Sequence, residues 1–157
     1  MVLTISGAAF GWGTNGGDGG RFTQLQETAV FFNNSGSTLS AGDVVILDTT
    51  ATSGSTLGAY VTTTTSGDST LAIGVVKSRS VADQRPITVV TRGPVQAFCQ
   101  NSSGTNVATG TAVGTYTTAA TCDSGTNLGV ALAPGGLSDA KLTDDKSWIW
   151  VQGIGTE

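Results

Sequence analysis

The stretch that decides the fold is Ile87 to Gln100, ITVVTRGPVQAFCQ. Ile87, Val89 and Thr91 fall on one side, and Thr88, Val90 and Arg92 on the other. Beyond Gly93-Pro94, the residues Val95, Ala97 and Cys99 share a face opposite Gln96, Phe98 and Gln100. A period of two is what a half-buried strand requires. Gly93 can take the positive φ of a tight corner, and Pro94 has no N–H to give to a ladder. The stretch therefore predicts two short strands joined at Gly93-Pro94, or an edge strand opening at Pro94. The rest of the chain reads as short strands laid around this pair.

Composition supports that reading. A chain of 157 residues fits one domain with a core of its own. It holds 23 glycines and only 11% charged residues. Low charge with abundant glycine can signal disorder, but clustered Val, Ile and Thr favour strands instead. No segment carries the i, i+3, i+4, i+7 apolar spacing of a helix. The expected fold class is all-β.

The formal net charge of −4, with seven scattered Lys and Arg, offers no basic stripe for nucleic acid. No apolar run approaches the roughly 20 residues of a membrane span. The opening MVLTISGAAFGWG lacks a basic n-region and a long apolar h-region, so no secretory signal is expected. Cys99 and Cys122 match no metal motif, and the sequence has no histidine. They read as two buried thiols or as one bridge between neighbouring strands. No metal and no cofactor are expected.

Residues 1–23 form a glycine-rich N-terminal arm that also carries Phe10, Trp12 and Phe22. A plain flexible linker has no use for large aromatics. They either dock on another subunit or partner, or fold back over the protein's own core. The GGDGG run at Gly16 to Gly20 occurs once, which is too little for a calcium-binding repeat, and it lacks the strand–helix context of a phosphate loop.

Residues 24–157 read as the all-β domain. Strands are expected at Gln24–Phe32, within Leu39–Asp48 as the run Val44–Leu47 that begins after Gly42-Asp43, at Ala59–Thr65 and at Leu71–Val76, then across the central pair. Further strands are expected within Val107–Thr118, at Leu128–Leu132 and at Trp148–Val151. The unalternating Val44 to Leu47 suggests a strand covered on both faces. Gly74 inside LAIGVV suggests a bulge or a close backbone approach. Lys77 to Pro86 is a charged loop, either solvated or facing a partner. Ala119 to Thr126 reads as a loop, and Ser138 to Lys146 as the one helical turn or two. In the closing strand, Trp148 and Trp150 share one face, and Ile149 and Val151 share the other. AGDVVILD followed by AIGVV is echoed by ATGTAVGTY followed by LGVAL. The echo suggests two similar strand pairs stacked in a barrel or sandwich.

Catalytic chemistry is hard to place. Without histidine the usual general base near neutral pH is missing. Lys77 near Ser78 and Ser80 forms no recognisable motif. Asp144 and Asp145, the one adjacent acidic pair, would face opposite ways on an extended chain. No enzyme activity is expected.

The order LSAGDVVILD, LAIGVVKSRS, ITVVTRGPVQAF, LGVAL and a closing apolar strand resembles the tailed-phage head decoration proteins, also called capsid cement proteins. In that family an "aGd-V" strand, an "iGv" strand and a "v-v-G-v" corner recur in this order. The likeness spans about Leu39 to Val151. It implies a small β-barrel or β-tulip-like domain that forms a homotrimer on the outer surface of the virion head. Made in the host cytoplasm, such proteins bridge neighbouring major capsid protein subunits after expansion. It implies no catalytic residues, and by analogy it places Phe10, Trp12 and Phe22 at a capsid or intersubunit contact. A second reading is a phage tail, fibre or adhesin-type β-sandwich that binds carbohydrate on an exposed aromatic, Trp148 or Tyr60. A third, a secreted bacterial surface domain, predicts a Cys99–Cys122 bridge.

Overall fold

The computed structural model describes residues 26–50, 60–100, 107–133 and 146–152. These residues contain eleven strands and no helix. The strands are β1 (Glu27–Asn33), β2 (Leu39–Ser40), β3 (Val44–Leu47), β4 (Tyr60–Thr62), β5 (Ala72–Val76), β6 (Ser80–Val81), β7 (Pro86–Phe98), β8 (Ala112–Thr115), β9 (Cys122–Ser124), β10 (Gly129–Ala131) and β11 (Lys146–Val151). The protein is all-β. The arm at residues 1–23, and the helical turn expected before Lys146, lie outside the described residues. Lys146 itself opens a strand.

Strand β7 organises both halves. Its first part pairs with β1 and β5, and the order β1-β4-β3-β5-β7 closes on itself through the β1–β7 ladder into a five-stranded barrel. Its second part pairs with β11, from Val151↔Gly93 to Lys146↔Phe98, and continues the sheet as β11-β10-β8-β9. A parallel bridge, Cys99↔Cys122, brings β9 back to the end of β7. A second small barrel therefore follows the first, and β7 runs through both.

The expected corner at Gly93-Pro94 is corrected: the chain does not turn there. Gly93, at φ 103°, and Pro94 mark the point where β7 changes partners without a break. The missing N–H of Pro94 costs no ladder bond. Phe98 N–H points away from β11 and donates to Gly42. Pro94, four residues earlier, shares that parity. One other expectation changes: the presumed loop from Ala119 to Thr126 contains β9. The run Val44 to Leu47 forms β3, set off from Leu39-Ser40 by a turn at Ala41-Gly42.

The two barrels are copies of one plan. In the first, Val44 faces Val75 and Val45 faces Gly74; in the second, Ala112 faces Val130 and Val113 faces Gly129. Ile46↔Thr62 and Leu47↔Val61 correspond to Gly114↔Asp123 and Thr115↔Cys122. The parallel pair Asn33↔Val61 corresponds to Cys99↔Cys122. Each barrel enters this plan through the same turn. Asp43 N–H donates to Ser40 at 3.0 Å around Gly42, and Thr111 N–H donates to Ala108 at 3.1 Å around Gly110. Both glycines have positive φ, +100° and +85°. Both donate to the last residue of the partner strand, Gly42 to Val76 and Gly110 to Ala131.

The cores follow the same correspondence. Phe31, Leu39, Val45, Val61, Ile73, Val76 and Val89 fill the first barrel. Ala97, Val107, Val113, Cys122, Leu128, Ala131 and Ile149 occupy the matching places in the second. The echo between the two strand pairs thus extends to the five strands of each barrel, while the small β2–β6 pair belongs to the first barrel alone among the described residues. Gly74 behaves as its sequence context suggests: the register shifts opposite it, and a Cβ there would lie 2.0 Å from the Val90 carbonyl oxygen. Its counterpart Gly129 would meet the Trp150 carbonyl oxygen at the same distance.

Candidate interaction surface

Each barrel points alternate residues outward, and their fates differ. On the first barrel Val44, Ala72, Val75 and Val90 face away from its interior, yet they are buried because they join the second barrel's core. This explains why β5 is buried along its whole length. The turn ahead of β3 is driven into the second barrel. Gly42 accepts from Phe98 N–H, and Val44 N–H donates to Ala120. A Cβ on Gly42 would come within 3.2 Å of the Phe98 ring, so the close approach needs glycine. Lys146 Nζ caps that ring 4.6 Å from its centroid. A second set of contacts joins the barrels. Asp68 Oδ1 accepts from Thr126 N–H, and Thr115 Oγ1 bridges Ser69 N–H and the Ser66 carbonyl.

The matching surfaces on the far sides are open. On β1, Val30 is 68% exposed and Phe32 is 38% exposed. Phe32 lies in tilted contact with Tyr60, with ring centroids 5.6 Å apart. On the second barrel Ala108, Thr109, Gly110 and Ala112 are exposed, and among the described residues nothing lies within 4 Å of where a Gly110 Cβ would sit. Trp148 is 38% exposed beside a shallow groove of about 200 Å³ between the barrels. Gln26 is anchored in that groove: its amide donates to the Pro94 carbonyl, and Lys77 Nζ donates to its oxygen at 3.0 Å.

Phe10, Trp12 and Phe22 lie outside the described residues. Trp148 and Tyr60 sit on different barrels and form no common platform. The charged loop from Lys77 to Pro86 is largely exposed, with a two-residue strand, β6, laid against β2. Cys99 and Cys122 are free thiols, both buried, at the seam of the second barrel. A hydrogen bond with Cys99, reinforced by burial, pushes the Cys122 thiol well above its usual range. It is poorly suited to act as a nucleophile. Among the described residues no cluster of His, Cys, Asp and Glu could hold a metal ion.

No family model matches the chain, and no curated protein matches its sequence.

Proposed function

We propose that this protein decorates the outer surface of an expanded phage head and stabilises it by bridging major capsid subunits, as a homotrimer and without catalysis. The observation that carries this reading is that large apolar side chains stay exposed on both barrels, Val30 and Phe32 on the first and Trp148 on the second, which suits contacts with subunits as well as with the capsid. Several weak contacts held in one assembly act together through avidity. The all-β plan and the motif order from Leu39 to Val151 agree with the decoration family. Phe10, Trp12 and Phe22 are proposed to dock on the capsid or on a neighbouring subunit, starting from the anchor at Gln26. Ordering such an arm costs entropy, which burial of three aromatics offsets.

The experiment is truncation. A chain that begins at Phe22 should keep its far-ultraviolet circular dichroism yet fail to co-sediment with expanded heads of the phage that encodes it. Head binding equal to that of the full chain would remove the arm from the contact.

A further inference from the structure

Among the described residues, the duplication leaves half of an interface uncovered on each barrel. Inside the chain, the Gly42 turn and the outward valines of the first barrel bury themselves against the Phe98 side of the second. The second barrel carries the same turn at Gly110, and the same outward positions are filled by Ala112, Val130 and Trp150. These are exposed or only half-buried. The first barrel carries the same receiving position. Phe32 corresponds to Phe98, but it is 38% exposed where Phe98 is 6% exposed.

The geometry points to a head-to-tail contact between copies of this chain, in which the Gly110 turn and Trp150 face of one copy dock on Phe32 of the next. The partner is a second copy because the contact is already made once within the chain, by equivalent residues. The detail differs in one respect. The first barrel's seam is sealed by the Phe32↔Tyr60 pair, so the incoming turn lies on the two rings instead of entering between strands. Unlike surfaces meeting in this way form a heterologous interface, which closes into a ring when the rotation per step allows. A cyclic trimer needs this kind of contact, so the inference assigns surfaces to the trimer of the decoration reading. The contact itself stands on the duplication and not on the capsid.

The test is the mass of the full chain in solution by light scattering, with co-sedimentation on heads scored separately. The wild type should form a closed oligomer, and Phe32→Asp and Ala112→Arg should each reduce it to the 15.7 kDa monomer with circular dichroism unchanged. Ala112 is exposed, so its variant reads the contact even if Phe32→Asp fails to fold. A double variant, Phe32→Cys with Thr109→Cys, should yield disulfide-linked multimers, and neither single variant should. A monomeric wild type, an oligomer that survives Ala112→Arg, or cross-linking through Phe32→Cys alone would overturn the proposal. Loss of head binding with an intact oligomer would count against the decoration reading and leave this one standing.

Discussion

Single residues in this protein are fixed by how closely backbones approach. Gly74 and Gly129 each leave room for a neighbouring strand's carbonyl, and any side chain there would collide with main chain that has nowhere to go. Gly74→Ala and Gly129→Ala should each cost about 3 kcal/mol or more, the upper range for overpacking. Gly36→Ala should cost about 1 kcal/mol, because only its φ of +72° resists the change. Urea unfolding curves for the three variants check this order. Cys122 carries a second residue-scale consequence. Its thiol titrates higher folded than unfolded, so the folded state holds the proton more tightly. That contribution is complete below about pH 8.5, the unfolded value, and is lost as pH rises above it. The slope is at most about 1.4 kcal/mol per pH unit. Cys122→Ala should cost about 1 kcal/mol at pH 7, as for one buried heavy atom, and should flatten stability between pH 8.5 and 9.5. An unchanged slope in the variant would assign the effect elsewhere.

Elements are held by seams where the first and third strands of each barrel meet in parallel. Asn33 ties the first seam. Its amide donates to Ser37 and Val81 carbonyls at 2.8 and 3.0 Å, and its oxygen accepts from Ser35. It is fully buried. Asn33→Ala should cost about 1–3 kcal/mol by stranding those carbonyls, read as a lower denaturation midpoint. Cys99, at the matching place in the second seam, is hydrogen-bonded to Cys122 instead. Most strands were legible in the sequence because alternation survives in them: Ile87 and Val89 enter one core, and Val95, Ala97 and Cys99 the other. The corner at Gly93-Pro94 was misread because residues that suit a turn equally suit a strand that changes partners. Strand β9 was hidden because CDS is short and polar, and its place comes from pairing with β8. The open face at Phe32 had a signal that could have found it. Phe31 and Phe32 are adjacent on a strand, so one of them had to point outward.

At the scale of the whole molecule, the duplication was visible only as an echo between two strand pairs. The intervals differ and the core identities drift from Phe31 to Ala97 and from Val61 to Cys122, so only the hydrogen-bonded register aligns them. One continuous strand, β7, is shared by both barrels, which suits the proposed bridging role. The two cores are mainly aliphatic, while Val30 and Phe32 stay exposed on the first barrel and Leu132 and Trp148 on the second. The measurement that reaches furthest is saturation binding of the full chain to purified heads before and after expansion, followed by heating of the loaded heads. Saturable binding to expanded heads alone, with DNA release moved to higher temperature, is the expected result. No binding to either form, or binding that leaves the release temperature unchanged, would contradict a stabilising role on the capsid.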